Sequence, residues 1–524
     1  MIRLRQRSGG QVRLRVLGTV IAVLVAIALA AVGVVRGTWA VGGSDSSCYA
    51  LMAKAFSEGH VQPVSALADA PWPDVSLTLA PGGFIPSASH AGAASPICAP
   101  GMSVLMAPLA ALFGVDAIFW LTPIAAALLV LFAFVIGRQL AGAMAGVTAA
   151  ILTATSPIVL YQAVQPMNDI LTAALWLGAI ALARHSVLSG VFLGLAILVR
   201  PNLAPLALVL ALIPLIQFGL TRQAWRSLLG MIGGSLPPVV ALLWLNHALY
   251  GSIVGSGYGA ASDLFSTHNV NPNLTNYGRA LWQTHHVVLA VGALAPLVFD
   301  GIKRRGATLL LAFAFVEIAI YLFYQPFPEW WYLRFLIPAI VVLLILASAA
   351  TVQLLSRNRM GGVIPIAAVV LGVLGARSAA DLQAFDLQRM EGRYRDSAEV
   401  VHNRLPANAV LITVWQSGSI RFHAGREIVM WDSLDPAWLD RALTWLRSKG
   451  YQPYLLFERR EEQEFRTRFG GQSELSALDW PARFDFNRQV RIFDPDDRAR
   501  YLSGEKYPTE NLGQARRSQS PKKM

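Results

Sequence analysis

Charge is what this sequence has least of. Asp, Glu, Lys and Arg make up 14% of its 524 residues, against 55% hydrophobic, where a soluble domain carries about a quarter charged residues. The shortage excludes an ordinary soluble protein and assigns most of the chain to lipid. Several catalytic signatures are missing as well. There is no Walker-type loop, no HExxH, no CxxC and no GxSxG, which argues against phosphoryl transfer from ATP, zinc hydrolysis and an elbow serine. No repeat of fixed period is visible. The net charge of +12 lacks the aromatic-interleaved basic patch of a nucleic-acid binder, so it reads as topology and attraction to anionic membrane lipids.

What is present is a series of apolar runs. A hydrocarbon core of roughly 30 Å needs about 20 residues per helix, and candidate spans fall at 16–38, 116–137, 142–161, 170–184, 187–200, 203–217, 228–249, 285–300, 307–325, 335–352 and 362–378. Several are short. Arg3, Arg5, Arg7, Arg13 and Arg15 precede the first run and hold the N-terminus in the cytoplasm under the positive-inside rule. A cleaved signal peptide is the competing reading of 1–40, but the run is longer than an h-region and many spans follow. Counting crossings puts Arg138, Arg184, Arg222, Arg226, Lys303, Arg304, Arg305, Arg357 and Arg359 inside, in agreement with that rule.

Segments 39–115, 162–169, 250–284 and 326–334 then lie outside, with the tail from about 379. The expected architecture is an all-α polytopic membrane domain of about 11 transmembrane helices followed by a small α/β periplasmic domain. Its boundaries are a basic tail at 1–15, the membrane domain with its long first loop at 16–380, the α/β domain at 381–502, and a disordered tail at 503–524. "NAVLITVW", "YQPYLLFE" and "RQVRIFD" read as strands, and "DPAWLDRALTWLRSKG" as an amphipathic helix. "GMSVLMAPLAALFG" is too short to span and reads as interfacial. Cys48 and Cys98 share the first outside loop, where an oxidising compartment would let them pair; two unrelated buried thiols is the alternative.

Asp45 and Asp169 stand at outside helix entries. Each suits a helix N-cap, and each also suits a functional carboxylate facing a cavity. Arg200 and Arg334 lie at the same outer face, against the charge bias of the other arginines. An arginine among apolar residues needs an anion and its fork suits a phosphate; snorkelling, or pairing with Glu329, Asp169 or Asp45, is the alternative. Trp331, in "EWWYLR", fits an aromatic belt or a sugar-stacking surface. Tyr258 ends a Gly-rich stretch that can approach a ligand closely or serve as plain loop. His285 and His286 are adjacent and point apart on a helix, which favours an interfacial role over a metal site.

The order of these pieces resembles the GT-C membrane glycosyltransferases. "GGSDSSCYALMAKAFSEG", "CAPGMSVLMAPLAALFG", "PMNDILTAALW", "GLAILVRP", "NHALYGSIVGSGYG" and "YLRFLIPAI" follow one another over about residues 15–350, most similar to the protein mannosyltransferases and lipid A aminoarabinose transferases. The resemblance implies sugar transfer from a polyprenyl-phosphate donor to a glycan, lipid or protein acceptor at the outer face of a bacterial inner membrane. It also implies that Asp45 acts on the acceptor and that Asp169 matches a second acidic position. Ser46 and Ser47 follow Asp45, so the DxD or DE pair that holds a metal in some branches is absent. A reaction without cofactor is the expectation, with a divalent metal as the alternative. A transporter or flippase for lipid-linked sugars is the rival function; it would show repeat symmetry and broken helices near the midplane, and neither is visible in the sequence.

Overall fold

The computed structural model describes residues 2–88, 90–358, 360, 362–487 and 489–513. Met1 and residues 514–524, parts of the expected basic and disordered tails, lie outside the described residues. The chain divides into two units. One comprises 1–37, 119–244 and 259–388, the other 38–118, 245–258 and 389–524.

The first unit is helical. Among the described residues six helices are long and apolar enough to cross a membrane: Arg15–Val35, Val115–Ala141, Arg222–Tyr250, Gly301–Leu322, Trp330–Arg357 and Val363–Asp381. A seventh arises if the pair Ala143–Ala154 and Pro157–Ala163, bent by 61°, counts as one span. The chain is a multi-pass membrane protein. By length and composition the count of about eleven is not reached, because several apolar helices are short. The runs at 170–184, 187–200 and 203–217 become the helices Asn168–Ala181, Ser186–Val199 and Leu206–Phe218, of 14, 14 and 13 residues. At 1.5 Å per residue each rises only about 20 Å, short of the core thickness. Proline sets several of these breaks: Pro157 starts a helix at N1, and Pro201 keeps Arg200 out of helical geometry, at φ −143° and ψ 83°. The bent pair also corrects the expectation that no helix is broken. The run at 285–300 holds only the short helix Val288–Ala293 and a single 3-10 turn.

The second unit is built on a six-stranded sheet in the order Glu427–Val429, Ala409–Ile412, Gln452–Glu458, Val490–Phe493, Phe484–Phe486, Glu510–Asn511. Its strands are β3 (Ala409–Ile412), β4 (Glu427–Val429), β5 (Gln452–Glu458), β6 (Phe484–Phe486), β7 (Val490–Phe493) and β8 (Glu510–Asn511). β3 runs parallel to β4 and β5, whereas β7 is antiparallel to both β5 and β6. Helix Leu439–Ser448 lies in the connection from β4 to β5. β3 and most of β5 read as unbroken apolar runs because both faces are covered there. Val410, Ile412, Leu455 and Phe457 point into one core, with Leu443, Phe465 and Phe469. Leu411, Tyr454 and Leu456 point into the other, with Val401 and Ile492. β8 pairs parallel with β6, so ordered structure extends past residue 503 into the segment expected to be disordered.

The first loop belongs to this unit too. Leu67, Trp72 and Leu79 pack in the same core as Ile412 and Phe457, so the boundary expected at 380 is not where the cores divide. A small hairpin, β1 (Phe84–Pro86) with β2 (Ala94–Pro96), lies within the loop. A disulfide joins Cys48 to Cys98 with Cα atoms 6.4 Å apart, inside the usual range of about 4.4–6.8 Å. Ser103 donates to the Tyr49 carbonyl at 3.0 Å, tying helix Gly101–Phe113 to helix Gly43–Ser57.

Candidate functional site

The first unit contains a buried polar cluster at the meeting of two helix ends. Asp169 occupies the first turn of helix Asn168–Ala181, behind the extended N-cap Met167, where the helix dipole favours an anion. Arg200 closes helix Ser186–Val199, where the dipole favours a cation. Nη2 of Arg200 donates to Asp169 Oδ1 at 2.6 Å and to Asn168 Oδ1 at 2.9 Å. Asp169 is 1% exposed and Arg200 8%. Of the two expected roles for Asp169, the side-chain N-cap is not adopted; the carboxylate is engaged with the arginine. Its Oδ2 has no hydrogen-bond partner among the described residues.

Arg334 comes to the same ring as Arg200. The 3-10 turn Trp330–Leu336 presents Phe335, whose centroid lies 5.5 Å from the Arg200 guanidinium carbon and 5.0 Å from that of Arg334. Arg334 also faces Tyr332 at 5.4 Å. Tyr321 stacks on Phe335 at 5.2 Å with planes 8° apart, and its hydroxyl accepts from Asn202 Nδ2 at 3.0 Å. Ring faces carry negative potential, so each cation sits against one at reduced desolvation cost. Asn273 donates to the carbonyls of Tyr321, Leu322 and Tyr324, satisfying acceptors that the end of helix Gly301–Leu322 leaves orphaned.

The sequence reading missed one member of this cluster, Glu317. It is fully buried in helix Gly301–Leu322 and within electrostatic range of Arg200. The signal was available: a lone carboxyl inside the apolar run "FVEIAIYLF" is expensive in a span and marks a polar interior.

The remaining candidates sit elsewhere. Glu329 is exposed and flanks the 3-10 turn. Trp331 is 37% exposed and stacks with Tyr161 at 6.2 Å. Tyr258 is 41% exposed and belongs to the second unit. His285 is buried and makes a 2.9 Å hydrogen bond to Ser156 and a 2.7 Å one to Thr284, so a core polar contact replaces the expected interfacial placement.

Asp45 also belongs to the second unit. It is half-buried in the first turn of helix Gly43–Ser57. The N-cap is Gly42, with no side-chain cap, so Asp45 is the third helical residue and not the cap. That position still gains from the dipole. Among the described residues no group of three or more His, Cys, Asp or Glu is arranged to hold a metal ion.

The chain has the fold of the GT-C membrane glycosyltransferases. ArnT from Cupriavidus metallidurans bound to undecaprenyl phosphate superposes with a TM-score of 0.55 at 14% identity, over 85% of this chain and 94% of that one. The oligosaccharyltransferase of Archaeoglobus fulgidus superposes with a TM-score of 0.53 at 13% identity, over 89% of this chain and 72% of that one. The same archaeal enzyme in complex with Zn and sulfate gives 0.53 at 12% identity, over 91% and 73%. No family model and no curated protein matches the sequence.

Proposed function

We propose that the chain is an inverting glycosyltransferase that moves a sugar from a polyprenyl-phosphate donor to a cell-envelope acceptor on the periplasmic face of a bacterial inner membrane. The observation that carries this reading is the convergence of Arg200 and Arg334 on one ring, beside a buried carboxylate, in a chain of this fold. Two guanidinium groups in an apolar surround suit the charge that develops on a departing lipid phosphate. Asp169 is assigned a positioning role, since its carboxylate fixes the fork of Arg200.

Asp45 is assigned as general base. Its carboxylate takes the proton of an acceptor hydroxyl as that oxygen attacks the sugar C1. The new C1–oxygen bond forms as the C1–O(phosphate) bond breaks, configuration inverts, and polyprenyl phosphate leaves with the electron pair. Trp331, Glu329 and Tyr258 are assigned to substrate lining. The periplasmic location of the sheet unit, and the cytoplasmic N-terminus, follow from the arginine distribution.

The test is transfer from a radiolabelled polyprenyl-phosphate sugar in membranes. Asp45→Asn is expected to lower the rate by about 10²- to 10⁴-fold. Equal rates in both preparations would remove Asp45 as the base. The bent pair Ala143–Ala154 and Pro157–Ala163 favours one second reading, a transporter for lipid-linked sugars. It takes over if no donor supports transfer while labelled lipid crosses the bilayer.

A further inference from the structure

The approach to the Asp45 helix is held by side chains from the far end of the chain. Residues 38–42 lead into helix Gly43–Ser57, and they and their partners below all belong to the second unit. Thr38, Ala40 and Val41 are buried, yet 38–42 form neither helix nor strand. Buried irregular backbone must find its hydrogen-bond partners elsewhere.

Side chains supply them. The Val41 N–H donates to Nε2 of His423, 382 positions away in sequence, at 3.1 Å. The Trp39 carbonyl accepts from Nη1 of Arg395 at 3.4 Å. Because Nε2 accepts, the imidazole is neutral and carries its proton on Nδ1. Burial, and then the charge of Arg395, pull its pKa down from 6.5 to about 3, so this acceptor form persists at neutral pH.

The next residues are hemmed in by the same two segments. Gly42, the N-cap, lies against helix Leu387–Arg404, where a Cβ on it would run into the Glu391 carboxylate and the Tyr394 ring. Tyr394 is itself pinned: its hydroxyl accepts from Arg393 Nη2 at 3.1 Å and its carbonyl from Ser419 Oγ at 2.6 Å. Beyond Asp45, Gly418 approaches so closely that a Cβ on it would strike Ser47. Segments 391–395 and 417–423 therefore bound the turn that carries Asp45.

Strain marks this approach as constrained. Trp39 stands at φ +46°, in the left-handed region that a bulky L residue avoids because its Cβ crowds the backbone. Such a conformation persists only where the surroundings fix it. The Arg395 bond to the Trp39 carbonyl and the His423 bond to the Val41 N–H lie on this residue and just after it, and Gly43 at φ +72° completes the bend into the helix. A relaxed 39–42 would deliver the first helical turn at another angle.

We propose that His423 is a positioning residue for Asp45: its hold on the Val41 N–H fixes the entry to the helix and, through it, the place of the carboxylate in the first turn. The inference rests on the assignment of Asp45 as base. It gives the stretch "GSIRFHAGRE" of the sheet unit a part in the reaction without contact to substrate.

Two measurements on the full-length protein compare wild type with His423→Asn and His423→Gln. The Gln amide can set an oxygen where Nε2 stands, whereas Asn is one methylene shorter and falls short of Val41. Hydrogen exchange read by mass spectrometry is expected to show protection over 41–47 falling at least about tenfold in His423→Asn and kept within about threefold in His423→Gln, with β3 and β5 unchanged in both. Unchanged protection over 41–47 in His423→Asn overturns the proposal, and so does a loss that spreads through β3 and β5, which would make His423 an ordinary core residue. In membranes given radiolabelled undecaprenyl-phosphate mannose or undecaprenyl-phosphate arabinose, His423→Asn is expected to lower kcat about 10- to 100-fold with donor KM within about twofold, and His423→Gln to recover kcat to within about threefold. A raised donor KM with kcat intact, or equal losses in the two variants, removes the positioning role. Normal kcat in His423→Asn beside an inactive Asp45→Asn defeats this proposal alone. An active Asp45→Asn, or no transfer by wild type with either donor, defeats the base assignment and this proposal with it.

Discussion

Removing either member of the Asp169–Arg200 pair should cost far more than removing both. At 2.6 Å and an effective dielectric of 20, the Coulomb attraction is about 6 kcal/mol. Against it stands a desolvation cost of several kcal/mol for each ion, and both side chains are under 10% exposed. The intact pair therefore comes out near neutral, while a lone survivor keeps its desolvation cost and loses the attraction. Asp169→Leu and Arg200→Met are each expected to destabilise the protein by about 3–5 kcal/mol. The double variant should stay close to wild type, short of their sum by about 6 kcal/mol or more. The assay is chemical unfolding in detergent across the four-protein cycle, with near-wild-type circular dichroism as the control for folding. Additive effects, within about 0.5 kcal/mol, would refute the reasoning. That result would mean that Arg200 is compensated elsewhere, with Asp169 no longer its positioning partner.

The second unit offers further tests. Burial raises the Glu461 carboxyl from 4.5 to about 7, so between those values the folded protein binds a proton that the unfolded chain has released. The stabilisation is complete below about pH 4.5 and is lost as pH rises through 7, by about 3 kcal/mol; Glu461→Gln should flatten that slope in denaturant midpoints taken at pH 5 and pH 8, and parallel slopes would refute it. The Cys48–Cys98 disulfide closes a separation of 50 residues, worth about 4 kcal/mol by loop entropy; Cys48→Ser with Cys98→Ser should lower the unfolding midpoint, and reductant should then have no effect on the variant. Gly83 sits at φ +91°, where an added Cβ would run into the Ser44 carbonyl; Gly83→Ala should cost about 2 kcal/mol or more, read as a lower melting temperature. Arg334→Ala should raise donor KM at least tenfold, and unchanged kinetics would remove it from the donor site.

How much of this was legible in sequence depends on what each signal measures. The strands Ala409–Ile412, Gln452–Glu458 and Val490–Phe493 stood out as short apolar runs because both sheet faces are covered. The helix Leu439–Ser448 stood out because only Leu439, Ala442, Leu443 and Leu446 of its residues are buried. Hydropathy counts apolar residues but is blind to where the helix stops, so Asn168–Ala181 and its two successors passed for spans until their ends were known. The partnership of Leu67, Trp72 and Leu79 with the sheet had no local trace, since their neighbours are more than 300 residues away.

The site shows the same limit in a different form. Asp169, Arg200 and Arg334 were found because charge is rare near apolar runs, and rarity is visible residue by residue. Pairing is not. The sequence left phosphate binding, snorkelling and pairing with Glu329, Asp169 or Asp45 open for both arginines; Asp169 offsets the charge of Arg200, and the Glu317 carboxyl lies nearby. A phosphate approaching this cluster meets less net positive charge than two arginines suggest. Glu317 lacks the loop-end position that marks Asp45 and Asp169, although a carboxyl inside a span has the greater need of a partner. If the cluster takes the donor phosphate as proposed, Asp169 acts against tight retention of the spent carrier. On the proposed function, electrostatics at this cluster would favour release of polyprenyl phosphate as much as its stabilisation during bond breaking.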